Sequence, residues 1–215
     1  MTYDRAGWGE SEVAGDYRRT SIAEQAIEAA GLIRARDRDA GETGSEGPVT
    51  ALGVGFGAVV ALELALAEPD LIARAVLVEP PLLGLLPSAT QGVSVDVEAI
   101  RASVELSGPL AAYELFLDGK LTTLGAGAER LGARADRAPA AAHTFLVELP
   151  AVPAWPIDPV RLAGLAAPVA VATMPSSPRL LIEAADALAP RIPGAERAVA
   201  GADLIDEAIA EMLEP

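Results

Sequence analysis

Apolar positions along this chain follow two alternating periods. Short uninterrupted apolar runs, typical of buried parallel strands, alternate with longer segments whose apolar residues recur every three or four positions, as in amphipathic helices. The runs predict strands at residues 49–54, 75–78 and 169–173, and a last short strand is predicted at 196–199. Helices are predicted at residues 22–36, 58–67, 96–105, 109–117, 128–135, 138–148, 160–165, 178–188 and 204–213. This alternation indicates the α/β class, with a mostly parallel sheet flanked by helices.

The segment before the first complete strand predicts a broken strand and a capped helix. Residues 1–4 read as the tail of a strand, and a polar, Gly-containing loop follows at 5–12. The helix begins after Thr20 or Ser21; if Ser21 is the N-cap, Glu24 completes a capping box. The buried stripe of this helix is predicted to be Ile22, Ala26, Ala29, Ala30 and Ile33.

A Gly-rich turn, Gly53-Val54-Gly55-Phe56-Gly57, joins the strand at 49–54 to the next helix. Strand, tight turn, helix and strand form a βαβ unit with two parallel strands. The turn is not a dinucleotide fingerprint, because its third glycine comes one residue early, and it is not a phosphate-binding P-loop, because no Gly-Lys-Ser/Thr follows. A related pattern, G-x-S-x-G, carries the nucleophile of one large enzyme class at such a turn.

Charge and composition exclude several classes of function. The formal charge of −15 disfavours nucleic acid and anionic membranes as partners. The chain contains no cysteine and one histidine, His143, so no metal site and no cofactor are predicted. No run of 18 apolar residues is present and residues 1–5 do not form a signal peptide, which predicts a cytoplasmic protein.

Five motifs, taken in order, resemble the α/β-hydrolase superfamily, especially bacterial esterase-like and peroxidase-like members. The motifs are TYDRAGWGES at 2–11, ALGVGFGAVVALELALAEPDLIARAVLVEPPL at 51–82, TFLVELPAVPAWPIDPVRL at 144–162, APVAVAT at 167–173 and PGAERAVAGADL at 193–204. The resemblance implies a hydrolase-like core at residues 1–82 and 159–215, with a helical cap inserted at 83–158. It also implies that the family's three N-terminal strands are missing here. Either the protein is short or its start codon has been assigned wrongly.

The same resemblance implies a degenerate catalytic triad. The nucleophile position falls on Gly55, the histidine position on or near Asp203, and Glu79 is the possible surviving acid. A glycine cannot form an acyl-enzyme, and a carboxylate cannot take and return a proton as imidazole does near neutral pH. His143 lies about sixty residues too early in the chain to take the place of the missing histidine.

A ligand pocket between core and cap is the remaining expectation. By the resemblance, Trp8, Phe56 and Trp155 should lie near the old active-site cleft beside Gly55, and such a cleft suits a small hydrophobic ligand. We therefore expect a catalytically degenerate protein that binds such a ligand or a protein partner. The alternatives are a non-hydrolytic enzyme, such as a cyclase, isomerase or lyase, and a weak hydrolase or esterase. The strand at 49–54 is expected to expose a sheet edge, covered by the N-terminal segment, a second copy or another protein.

Overall fold

The computed structural model describes residues 1–9, 11–12, 17–39, 47–126 and 139–199. These ranges contain four strands: β1 (Val49–Val54), β2 (Ile72–Val78), β3 (Val169–Thr173) and β4 (Glu196–Val199). The helices are α1 (Ile22–Asp39), α2 (Phe56–Ala67), α3 (Thr90–Ser107), α4 (Pro109–Leu117), α5 (Pro139–Glu148), α6 (Ala151–Ala154), α7 (Pro159–Ala163) and α8 (Arg179–Leu188). Short 3₁₀ turns lie at Pro69–Leu71, Leu83–Leu85, Pro87–Ala89 and Ala189–Arg191.

The four strands form one parallel sheet in the order β1-β2-β3-β4. Val54 pairs with Val78 across β1 and β2, and Ala172 pairs with Ala198 across β3 and β4. All five residues of β3 are buried, which requires covering layers on both faces of the sheet. The predicted parallel α/β architecture is confirmed, because helices connect successive strands and bring each one back in the same direction.

The main hydrophobic core joins α1 and α2 to the sheet. All five residues of the predicted α1 stripe are buried there. The helix starts after Ser21, whose hydroxyl oxygen accepts the Glu24 amide at 3.2 Å, while the same hydroxyl donates to the Glu24 carboxylate at 3.0 Å. Ser21 is therefore the N-cap, and the capping pair with Glu24 is present.

The prediction of a strand at residues 1–4 is wrong. Residues 1–5 belong to no strand, and the carbonyls of Asp4 and Arg5 accept hydrogen bonds from within the N-terminal loop. The Ser11 hydroxyl donates to the Asp4 carbonyl at 2.6 Å, and the Gly7 amide donates to the Ser11 carbonyl at 3.2 Å. Within the sheet that the described residues form, β1 is therefore an edge strand, and what covers it stays a prediction.

The segment between β2 and β3 contains most of the remaining helices. Two small apolar clusters hold α3, α4 and α5 together; one contains Tyr113, Leu117 and Phe145, and the other Ile100, Ala112 and Leu121. The loop predicted at 80–92 instead folds into 3₁₀ turns and the first residues of α3. The helices predicted at 128–135 and 204–213 lie outside the described residues. No helix in the described ranges is long and apolar enough to cross a membrane.

Candidate active site

The Gly-rich turn forms a sharp elbow between β1 and α2. Gly55 has φ 57° and ψ −121°, a left-handed conformation that favours glycine, and its amide donates to the Val78 carbonyl at 2.9 Å. A Cβ placed on Gly55 would meet no atom within 4 Å. Glycine therefore adopts this backbone conformation without strain, and a side chain at position 55 would be strained but would have open space to enter.

The two flanking glycines have different roles. A Cβ on Gly53 would lie 2.1 Å from the Gly57 carbonyl oxygen and 2.3 Å from its carbon, so the first turn of α2 packs directly on the end of β1. A Cβ on Gly57 would meet nothing within 4 Å. Only Gly53 is required for close packing, and Gly57 contributes its backbone carbonyl to that contact.

Glu79 lies at the carboxyl end of β2, directly after the residue whose carbonyl bonds to Gly55. It is buried and has φ 50°, which costs a non-glycine residue roughly 1–3 kcal/mol. Its amide donates to the Ala172 carbonyl at 2.9 Å, and its carboxylate accepts a hydrogen bond from the Ser177 hydroxyl. The Ser177 oxygen in turn accepts the Met174 amide at 2.7 Å, so Glu79 is joined to the loop that follows β3.

Arg5 lies over Phe56, the first residue of α2, and also contacts Trp8 and Glu148. Its guanidinium carbon is 4.6 Å from the centre of the Phe56 ring and 5.9 Å from that of Trp8. Its Nε and NH2 donate to the buried Glu148 carboxylate at 3.3 and 2.8 Å. The structure thus brings Trp8 and Phe56 together around a fixed cation beside the elbow.

Trp155 is held in a different way. It is buried in the main core, and its Nε1 donates to Glu63 of α2 at 2.9 Å. The other Glu63 oxygen accepts from Arg161 at 3.0 Å, and this hydrogen bond raises the Arg161 pKa. Through these two hydrogen bonds, Glu63 connects α2 to Trp155, which follows α6, and to Arg161 of α7.

Two cavities lie away from the elbow. An open cavity of about 320 Å³ between the N-terminal loop and α5 is lined by Gly7, Gly9, Ser11, Glu12, Ala140, His143 and Thr144. His143 is exposed there, and its Nε2 lies 2.9 Å from the Tyr17 carbonyl oxygen. A second cavity of about 180 Å³ has Trp155 in its wall, together with residues around Ser21 and Ala151. Gly55, Phe56 and Trp8 do not line either one.

The described part of the chain contains no group of three His, Asp or Glu side chains that could hold a metal ion. Asp203, predicted at the histidine position, lies outside the described residues. Of the three predicted triad positions, Gly55 and Glu79 are described, and they lie side by side at the carboxyl ends of β1 and β2.

No protein-family model matches the sequence, and no curated protein matches it either. Solved structures do match. An α/β hydrolase from Sphaerobacter thermophilus DSM 20745 superposes with a TM-score of 0.63 at 21% identity, over 99% of this chain and 80% of that one. This chain has the α/β-hydrolase fold.

Two further structures of the α/β-hydrolase fold are similar to it. Est816, described as an N-acyl homoserine lactone degrading enzyme, has a TM-score of 0.60 at 21% identity and covers 98% of this chain and 79% of its own. The enol-lactonase from Burkholderia xenovorans LB400 has a TM-score of 0.55 at 18% identity, with 98% and 79% covered. In this fold a strand-to-helix elbow carries the nucleophile of the hydrolases, and the assignment of the turn at Gly55 to that elbow stays a prediction.

Proposed function

We propose that this chain is a non-hydrolytic protein of the α/β-hydrolase fold that binds a small apolar ligand at its nucleophile elbow. The observation that supports the proposal is Gly55, which has the positive-φ elbow backbone, open space at its Cβ position and no side chain to attack a carbonyl. Without a nucleophile no acyl-enzyme forms at this position. The elbow is retained as a place to hold a ligand.

The residues around the elbow suit a ligand with a carbonyl group and a hydrocarbon part. The amide of Phe56 follows the nucleophile position, where this fold places a hydrogen-bond donor for a carbonyl oxygen. The Phe56 ring and the nearby Trp8 offer apolar contact area, and Arg5, fixed by Glu148, adds a positive charge. Lactones are the ligand class to test first, because Est816 and the enol-lactonase are named for them.

Glu79 supports a second candidate function, proton transfer without a nucleophile. Its buried carboxylate lies at the end of β2, next to the strand that leads into Gly55, in a backbone conformation that non-glycine residues adopt at a cost. Such strained residues often belong to functional sites, and a carboxylate there could take a proton from a bound substrate. This chemistry would make the protein an isomerase, cyclase or lyase.

One experiment separates these functions. An N-acyl homoserine lactone is titrated into the protein by calorimetry, and the recovered small molecule is identified by its chromatographic retention time and its mass. The binding proposal expects saturable heat, weaker binding by Phe56→Ala than by the exposed-site control Val160→Ala, and an unchanged lactone. A rearranged product of equal mass that disappears with Glu79→Gln supports proton-transfer chemistry. A product heavier by one water, formed by the wild type, would refute the non-hydrolytic function.

A further inference from the structure

Helix α3 carries an apolar stripe that faces solvent. Val95 is 60% exposed and Leu106 85%, and Ala99 and Ala102 between them are also exposed. At about 100° per residue, these four positions fall within an arc of about 60° on the helix surface. Ile100 and Asp96 lie on the other side of the helix and are buried. The helix therefore has an unpartnered apolar side besides its packed one.

The stripe has the spacing and symmetry of a helix-pairing seam. Val95, Ala99, Ala102 and Leu106 are separated by four, three and four residues, which is the alternation of the a and d positions of a heptad. The order of sizes is large, small, small, large, so the stripe reads alike in both directions. A surface that is complementary to its own reverse is what a two-fold interface requires.

We propose that α3 pairs antiparallel with α3 of a second copy of this chain about a two-fold axis between Ala99 and Ala102. In that arrangement Val95 of each copy faces Leu106 of the other, and the two central alanines let the helices approach closely. This inference is independent of the ligand proposed at the elbow.

Charges along one flank of the stripe fit the same arrangement. Arg101 bonds to Glu98 at 2.7 Å and to Glu105 at 3.0 Å within its own helix. Across the two-fold axis, Arg101 of one copy lies within about 3 Å, measured along the helix axis, of Glu98 of the other, because each residue rises 1.5 Å. The same arginine can therefore bridge both copies, and it does so twice because the interface is symmetric.

The dimer is expected to be weak. A single pair of 18-residue helices buries much less than the roughly 800 Å² per partner of a standard stable interface. The formal charge of −15 on each chain adds repulsion, which salt screens. Association should therefore be visible at high protein concentration, on the order of 100 µM, and should increase with moderate salt.

Cysteine cross-linking tests the orientation, and the natural chain is free of cysteine. An equimolar mixture of the Val95→Cys and Leu106→Cys variants should form a disulfide-linked dimer under mild oxidation, at least about tenfold more than either variant alone. In each variant alone the two sulfurs would be offset by about 16 Å along the helices, too far for a disulfide. Equal cross-linking by a single variant alone would overturn the antiparallel pairing.

Sedimentation velocity tests whether the apolar stripe of α3 is the surface through which two copies associate. Leu106→Glu should abolish association, whereas the matched control Val160→Glu, which adds the same charge at a site 80% exposed outside the stripe, should leave it intact. Equal effects of the two variants would overturn the proposal. So would a dimer that survives Leu106→Glu but is lost in Thr50→Lys, because that result would assign the contact to the edge of β1. A wild type that remains monomeric at about 500 µM would also overturn it.

Discussion

Gly53 and Gly57 lie four residues apart in the same turn, yet the structure predicts opposite effects of an added methyl group. In Gly53→Ala the new Cβ would lie 2.1 Å from a carbonyl oxygen that belongs to the first turn of α2. That oxygen is backbone and cannot rotate away as a side chain could, so α2 or β1 must move. In Gly57→Ala the new Cβ has no atom within 4 Å and lies in helix α2, where alanine is preferred.

The magnitudes follow from these contacts. Overpacking in a core typically costs about 1–3 kcal/mol, and a clash with fixed backbone belongs at or above the upper end, so we expect a loss of about 3–5 kcal/mol for Gly53→Ala. Gly57→Ala should gain up to about 1 kcal/mol, less than a mid-helix change because position 57 is in the first turn. For a chain of this length each kcal/mol shifts the melting temperature by about 2–4 °C.

Urea and thermal unfolding followed by circular dichroism measure both variants against the wild type. The expected result is a melting temperature lowered by about 10 °C for Gly53→Ala and unchanged or raised for Gly57→Ala. Gly31→Ala, in the exposed interior of α1 with an open Cβ position, is the control for helix propensity alone and should also stabilise. Equal destabilisation by the variants at 53 and 57 would refute the close contact between β1 and α2.

Two further predictions concern buried polar groups. Glu63→Gln should destabilise by about 2–3 kcal/mol, because a buried carboxylate bonded to the Trp155 indole is replaced. Arg161→Gln should cost about 1 kcal/mol or less, because the Arg161 side chain is 37% exposed; the reverse order in urea unfolding would contradict this assignment. Burial raises the pKa of Tyr3, so the stability that its neutral form contributes is complete below the ordinary pKa of 10.0 and is lost as pH rises through the folded-state value. Urea midpoints between about pH 9 and about 11 should therefore fall less steeply for Tyr3→Phe than for the wild type, and equal slopes would contradict that role.

The elements that the sequence predicted well are those with local signals. β1, β3 and β4 have the predicted bounds; β1 and β3 are short apolar runs bordered by glycine or proline, whereas β4 begins with two charged residues. The tight turn was also predictable, since glycine adopts the positive φ at position 55 without strain and is required by the close approach at position 53. Helix ends differed by a few residues, because their last turns are set by tertiary contacts rather than by the apolar period.

Ion pairs between residues far apart in the chain could not be predicted from the sequence. Arg5 and Glu148 are separated by 143 positions, and no local pattern joins them. Glu63 is the charged residue of an otherwise apolar helix, which indicates that it is paired if it is buried. The sequence does not identify its partners. The strand expected at 1–4 is absent for a similar reason: the Asp4 carbonyl accepts the Ser11 hydroxyl, a contact between loop residues that the apolar pattern does not indicate.

The central claim is that the elbow at Gly55 no longer makes an acyl-enzyme. The most direct measurement treats the wild type with a serine-reactive fluorophosphonate, weighs the intact protein, and follows hydrolysis of a p-nitrophenyl ester by the same sample. We predict no covalent adduct and an ester hydrolysis rate equal to that of buffer, because the nucleophile position carries no side chain. A stoichiometric adduct, accompanied by turnover that the adduct abolishes, would contradict the account.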